Sequence, residues 1–301
     1  MINESTPICV CISTFKRPDL LKRLLNELDH QITERLFSYS IVVADNDRGQ
    51  SAKEVVSAFA AASSIEITYC VEPEQNMALA RNMAVANSEG DFIALIDDDE
   101  IPKKDWLYFL FKTYSIGNVD GVLGPVRPYF EHKPPQWVTR GKFFDRPEHT
   151  TGYIMKWPET RSGNVLFNKE IIKGIENPFR AKFGTGGEDV DFFRRMIGNG
   201  KVFIWCNEAP VYELVPPVRC TRGYQIKRAL LRGGISLKYE PHRRARNIIK
   251  SLIAIPVYSV SLPFLYLLGD HLFMKYFVKL CDHTGRILKL LGINPVKERG
   301  Q

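Results

Sequence analysis

The sequence predicts an α/β protein with a mixed, mainly parallel sheet flanked by helices and a basic, apolar helical segment at the C-terminal end. Three observations predict this. Strand-like and helix-like segments alternate over the first hundred residues, acidic residues stand at the ends of two of those strands, and a long uncharged run follows a basic block late in the chain.

The elements follow in order. ICVCIS (Ile8–Ser13) is a short apolar run of strand type. It leads into a helix where Pro18 suits the first turn and Leu21, Leu24, Leu25 and Leu28 recur at helical spacing. SIVVAD (Ser40–Asp45) reads as a second buried strand. Ser51 and Glu54 have the spacing of a capping box ahead of Val55, Val56 and Phe59. IEITYCV (Ile65–Val71) alternates as a third strand, Asn76 is placed to cap a helix that ends at Glu89-Gly90, and DFIALI (Asp91–Ile96) is the fourth strand. Residues 125–162 are rich in Pro, aromatic and charged residues and read as a long functional loop rather than a packed element. NVLF (Asn164–Phe167) and KVFIW (Lys201–Trp205) read as further strands. Between them lies a helix with Phe192, Phe193, Met196 and Ile197 inward.

Of the 41 Lys and Arg residues, ten fall between Pro216 and Lys250 against one acid, Glu240, leaving 31 basic and 33 acidic residues elsewhere. The basicity therefore belongs to one segment, which fits a solvated face, a phosphate site or a membrane-surface patch. Ser251–Gly269 follows, nineteen residues without a charge, in which Pro256 and Pro263 are expected to interrupt a simple span. The next stretch mixes apolar residues with Lys275, Lys279, Arg286 and Lys289, the pattern of an interfacial amphipathic helix. Re-entrant or surface-lying helices are favoured over a span, and a buried core helix is the alternative. The N-terminus has no secretory-signal pattern, and the six cysteines show no zinc-site spacing beyond the isolated Cys9/Cys11, which share one strand face as core. A reducing, cytoplasmic setting is expected.

The chemistry centres on Asp97, Asp98 and Asp99. Three adjacent carboxylates repel one another, and an all-oxygen set favours a hard cation such as Mg²⁺ or Mn²⁺. Such an ion can neutralise a departing diphosphate. An acidic turn at a strand end is the structural alternative.

In this setting the chain resembles the family 2 glycosyltransferases, inverting enzymes of the GT-A fold, over about residues 7–235. Four pieces carry the resemblance in order: PICVCISTFKRPDLLKRLL, VVADND, NMALARNMAVANSEGDFIALIDDDE and GTGGEDVDFFRRMIGNG. FFRRMIGNGKVFIWCNEAPVYELVPPVR and the basic helix after it narrow the likeness to succinoglycan-type exopolysaccharide glycosyltransferases. The resemblance implies that Thr14, Phe15 and Arg17 line the nucleotide pocket and that Asp45 faces the base. It further implies that Arg81 fixes the nucleotide end, Asp97 the ribose, and that Asp99 is the principal metal ligand with Asp98 beside it. Asp189 would be the base that deprotonates the acceptor hydroxyl, and Glu188 an acceptor contact. Glu213 stands near the position of a histidine found in many relatives, where it completes the metal site with Asp99 and Asp97 or only supports its loop. Where processive members carry Q-x-x-R-W, this chain has Gln225-Ile226-Lys227-Arg228-Ala229. Arg228 retains a diphosphate role, while the missing Trp argues against processive polymerisation.

The expected organisation is a catalytic domain over 1–235, with a nucleotide-binding half at about 7–100 and an acceptor half at 100–235, followed by a basic linker and membrane-associated helices over 236–301. The expected partners are a nucleotide sugar, a UDP-hexose, and a saccharide acceptor on a polyprenyl diphosphate at the cytoplasmic membrane face. A nucleic acid is not expected, and oligomeric state is not legible. A dinucleotide-dependent oxidoreductase would need a Gly-rich turn after the first strand, where STFKRP stands. A sugar-nucleotide nucleotidyltransferase would need a Gly-rich basic phosphate loop near the N-terminus. A non-catalytic saccharide- or membrane-binding relative would be expected to lose the metal acids or the base, and both are present.

Overall fold

A computed structural model describes residues 6–184, 186–239, 244–294 and 296. Residues 240–243, within the basic block, and 297–301, within the expected membrane-associated part, lie outside the described residues. The chain forms two compact units. The first comprises the chain up to Arg127 together with Arg146–Leu214, and the second comprises Pro128–Asp145 with the chain from Val215 onward.

In the first unit, strands β1 (Thr6–Thr14), β2 (Phe37–Asp45), β3 (Ile67–Val71) and β4 (Phe92–Asp97) alternate with helices α1 (Pro18–Leu28), α2 (Lys53–Ala62) and α3 (Met77–Ala86). Then come β5 (Glu100–Pro102), α4 (Trp106–Ile116), β6 (Gly121–Leu123), β7 (Val126–Tyr129), which runs past the end of this segment, β8 (Asn164–Asn168), α6 (Glu188–Gly198), β9 (Phe203–Trp205) and β10 (Val211–Leu214). Helix α5 (Gln136–Gly141) belongs to the second unit. The main sheet has the order β3-β2-β1-β4-β8-β6-β9. The four strands expected from the sequence pair in parallel, whereas β8 runs antiparallel to both β4 and β6. The chain winds outward from β1 to β3 and returns to β4 on the other side of β1. The carboxyl ends of β1 and β4 therefore flank a topological switch point, where open α/β sheets bind ligands.

Alternation along β1 divides the core. Ile8, Val10 and Ile12 join the cluster with Leu21, Leu24, Leu25 and Leu28 of α1, while Cys9 and Cys11 face the cluster containing Phe192, Phe193 and Met196 of α6. The two thiols lie 3.9 Å apart, and all six cysteines are free. Pro18 opens α1, and the Asn76 side chain caps α3 by accepting from the N–H groups of Ala78 and Leu79. The expected capping box on α2 does not form: Ala52 holds the cap position, and the Ser51 hydroxyl is buried without a partner. Ser51 lies one residue too early, inside a turn in which the Lys53 N–H donates to the Gln50 carbonyl at 3.1 Å, and the Ala52 N–H is held by Asp45 at 2.8 Å.

The second unit contains α5, α7 (Arg222–Tyr239), α8 (Arg244–Leu268) and α9 (Asp270–Leu290). Part of the expected loop is thus packed: Trp137 and Val138 are buried in a core with Ala229, Met274, Val278 and Cys281. Helices α7 and α9 meet backbone to backbone. A Cβ on Gly233 would lie 1.9 Å from the Asp282 carbonyl oxygen, and one on Gly285 would lie 2.1 Å from that of Leu230. Arg222 pairs with Asp270 at 2.7 Å and Arg232 forks onto Asp282, so two cations of the basic block join α7 to α9.

The uncharged run differs from its expectation. Pro256 and Pro263 lie inside one continuous 25-residue helix, α8. Seven residues apart, both are exposed on a single face. That face also carries Ile249, Leu252, Ile253, Val257, Val260, Phe264, Leu267 and Leu268, all exposed. α8 is long and apolar enough to cross a membrane, and 11% of its apolar window is buried. A buried core helix is therefore excluded.

Candidate active site

Strand register brings the site together. Thr14 pairs with Asp45 across β1–β2, and Ser13 pairs with Asp97 across β1–β4, so Thr14, Asp45 and Asp97 end at one edge of the sheet. The three adjacent aspartates then separate in role. The Thr14 hydroxyl donates to Asp98 Oδ2 at 2.8 Å. Arg17, at the entry to α1, donates from Nη1 to Asp98 Oδ1 at 3.0 Å and Asp99 Oδ2 at 3.2 Å. Asp98 is buried and ties β1 to the turn. Burial raises its pKa, and the Arg17 charge and Thr14 hydrogen bond oppose that rise. Asp97 is the most open of the three, with a side chain 42% exposed, and accepts from Arg81 Nη2 at 2.8 Å.

Asp99 lies among like charges. Burial, followed by the nearby charges of Asp97, Asp98 and Glu213, pushes its carboxyl up to about 6. Glu100, fully buried, is raised further by burial and by Asp97, Asp99 and Glu213. Glu213 on β10 pairs in register with Glu100 on β5 and accepts from Arg146. This all-oxygen, mutually repelling set suits a hard cation at Asp99. However, no three His, Cys, Asp or Glu residues among those described form a preassembled metal cluster; Arg81 engages Asp97 and Arg146 engages Glu213. The arrangement matches metal sites in which one or two carboxylates act with substrate phosphates rather than a closed protein cage.

Arg81, on α3, links the strand end to α6. Its Nη2 binds Asp97 and its Nη1 binds Glu188, the first residue of α6. The Arg81 and Glu188 side chains are 7% and 2% exposed, and Glu188 Oε2 is buried without a hydrogen-bond partner. Asp189 follows in the same first turn, half-buried, with Oδ1 accepting from the Val190 N–H at 2.7 Å. Asp45 is fully buried, and its carboxylate accepts from the N–H groups of Asp47 and Ala52 and from the Tyr69 hydroxyl, so it shapes the loop after β2. Phe15 lies beneath the Lys16 ammonium, which is 5.3 Å from its ring centroid.

Two glycines of this unit escaped sequence reasoning. A Cβ on Gly163 would lie 2.4 Å from Glu100 Oε1 and 3.0 Å from Asp97 Oδ2. One on Gly184 would lie 1.7 Å from Asn76 Oδ1. Both are close approaches to site or cap residues that only glycine permits. The loop aromatics have structural partners: Trp137 packs edge-on against Phe143, Tyr153 stacks on His149, and Trp157 lies under Arg194. Arg228 lies on α7, in the second unit. Ala229, where processive relatives carry Trp, is buried in that unit's core, and Gln225 donates to the Arg219 carbonyl at 2.8 Å.

A mainly parallel sheet with an acid-rich turn at its switch point and a second acid pair opening a facing helix is the arrangement on which nucleotide-sugar transfer is built. Residues 9–174 match glycosyl transferase family 2, and the chain belongs to that family. It is 31% identical to the succinoglycan biosynthesis protein ExoM of Rhizobium meliloti, over all of this chain and 98% of that protein. It is 22% identical to a chondroitin synthase of Pasteurella multocida, over 72% of this chain and 25% of that protein. Among solved structures it is similar to the mannosyltransferase PcManGT of Pyrobaculum calidifontis in complex with GDP-Man and Mn²⁺, with TM-score 0.64, 17% identity, and 96% and 87% of the two chains covered. It is also similar to S. aureus TarS 1-349 in complex with UDP-GlcNAc, with TM-score 0.57, 14% identity, and 96% and 93% covered. At these identities the structural likenesses establish the fold.

Proposed function

We propose that the protein moves a single sugar, with inversion, from a nucleoside-diphosphate sugar to a lipid-linked saccharide in surface or exopolysaccharide assembly. The donor is a UDP-hexose, with glucose and galactose the first to test, and the acceptor is carried on a polyprenyl diphosphate. The supporting observation is the Arg81 bridge, which couples Asp97 at the acidic turn to Glu188, the residue before Asp189 in the first turn of α6. Thr14, Phe15, Arg17 and Asp45 form the nucleotide side, with Asp97 toward the ribose. Arg81 orients that end, and Arg228 serves the diphosphate. Asp99, with Asp97 and Glu213 as further oxygen donors, would hold Mn²⁺ or Mg²⁺, which neutralises negative charge on the leaving diphosphate. Asp189 takes the acceptor hydroxyl proton as the new C–O bond forms at the anomeric carbon and the bond to phosphate breaks. Glu188, expected to contact the acceptor, holds Arg81 through Oε1 and so steadies the start of α6 on the acceptor side. The exposed apolar face of α8 associates with the cytoplasmic side of the membrane, in a peripheral or monotopic manner, where the lipid acceptor lies.

Asp189→Asn keeps the shape of the side chain and removes its basicity. It should abolish transfer in a radiolabelled-sugar assay while UDP affinity stays within about twofold. An Asp189→Asn enzyme retaining a tenth or more of the activity would overturn the base assignment.

A further inference from the structure

The three long helices of the second unit enclose a cation with neutral partners. Arg286 of α9 donates from Nε to the Ser236 hydroxyl of α7 at 2.9 Å and from Nη1 to the Ser251 hydroxyl of α8 at 2.8 Å. The His283 ring, one turn earlier on α9, places Nδ1 3.0 Å from Ser251 Oγ and 3.3 Å from Arg286 Nη1. Each hydroxyl also donates to a carbonyl of its own helix: Ser236 to Gly233 at 2.6 Å and Ser251 to Asn247 at 3.0 Å. Their lone pairs are thereby turned toward the guanidinium. The neighbouring acid on α9, Asp282, is taken by the fork of Arg232. Among the described residues, Arg286 therefore has no carboxylate partner, and no hydrogen bond is made by its Nη2 or by His283 Nε2. Ser251 is fully buried, but Arg286 and His283 are half-exposed, so an anion can reach them.

The place of this cluster along α8 suggests the anion. Exposed Arg246 and Lys250 lie on its N-terminal side with one exposed apolar residue, Ile249, between them, and from Leu252 onward the exposed face is uncharged and mainly apolar. Ser251 thus marks the level at which the helix passes from basic to apolar. A helix entering a bilayer makes that change at the depth of the lipid phosphates. A forked guanidinium held by two hydroxyls, with an imidazole alongside, is well suited to phosphate oxygens.

We infer that Arg286 and His283, positioned by Ser236 and Ser251, form a binding site for a lipid-borne phosphate, either a phospholipid head group or the phosphate of a polyprenyl carrier. The inference rests on the membrane association proposed above. The test is co-sedimentation of the full chain with vesicles of digalactosyldiacylglycerol, a bilayer lipid that carries no phosphate. The vesicles carry phosphatidylglycerol, a polyprenyl monophosphate, or oleate, the last supplying equal surface charge without a phosphate.

The wild type should bind phosphate-bearing vesicles about tenfold more tightly than oleate vesicles, the scale of one charge-assisted hydrogen-bonded contact. Arg286→Gln and the milder Ser251→Ala should lose that preference, whereas Arg246→Gln should weaken binding to both charged vesicles alike. A greater affinity for the polyprenyl phosphate than for phosphatidylglycerol assigns the site to the carrier, and the reverse assigns it to bulk lipid. If Arg286→Gln loses its thermal transition, Ser251→Ala decides. Equal binding to phosphate and oleate vesicles, or a preference surviving in the folded variants, overturns the site and leaves membrane association standing. Failure of the wild type to bind any vesicle removes both.

Discussion

Replacing Arg81 with Met should cost more stability than almost any other single change in the first unit. The guanidinium is 7% exposed and balances Glu188, whose side chain is 2% exposed, as well as Asp97. Met fills similar space and cannot pair. Glu188, whose Oε2 already lacks a hydrogen bond, would be left buried with no partner at either oxygen. Breaking a buried pair from one side costs about 3–5 kcal/mol, a large share of the roughly 5–15 kcal/mol that holds a typical domain together. Replacing both partners removes the stranded charge, so Arg81→Met with Glu188→Gln should recover at least about 2 kcal/mol of that loss. Guanidinium unfolding of the wild type, both single variants and the double variant gives the cycle, provided the slopes agree. A loss below about 1 kcal/mol for Arg81→Met, or a double variant no better than the single, would refute the claim that this pair carries the link between α3 and α6.

Two further predictions concern the other functional surfaces. Val260→Glu with Phe264→Lys alters two exposed positions on α8, so the thermal midpoint should change little while sedimentation with membranes is lost. Unchanged membrane binding would place the anchor elsewhere. Asp99→Ala should leave the fold intact, since Asp98 accepts from both Thr14 and Arg17 while Asp99 only shares Arg17, and should reduce Mn²⁺-dependent UDP affinity by tenfold or more. A variant with the wild-type Mn²⁺ response would remove Asp99 as the principal ligand.

What could be read from the sequence was local. The parallel strands β1 to β4, the leucine face of α1, the Asn76 cap and the acidic turn each follow from a repeat or a spacing within a dozen residues. The links that assemble the site are distant in sequence: Arg81 reaches Glu188 across 107 positions, and Thr14 reaches Asp98 across 84. No periodicity encodes those contacts. The same holds for Gly163 and Gly184, whose need for a missing side chain arises only when Glu100 and Asn76 fold against them. The capping-box spacing at Ser51 was a local signal that failed because a turn from Gln50 to Lys53 delays the helix by one residue, leaving Ala52 at the cap. The prolines of α8 misled for a related reason. They weaken a helix by removing backbone donors, yet here both lie on the exposed face and the packed face carries the helix through. Trp137 looked like a loop aromatic because its partners Phe143, Met274 and Val278 include residues more than a hundred positions away.

Calorimetric titration of the full chain with UDP, with and without Mn²⁺ and with GDP as control, separates a nucleotide-sugar enzyme from a non-catalytic relative. UDP binding should depend on Mn²⁺, exceed GDP binding, and fall in Asp99→Ala. A folded protein that binds neither nucleotide in the presence of the metal would contradict the proposed transfer.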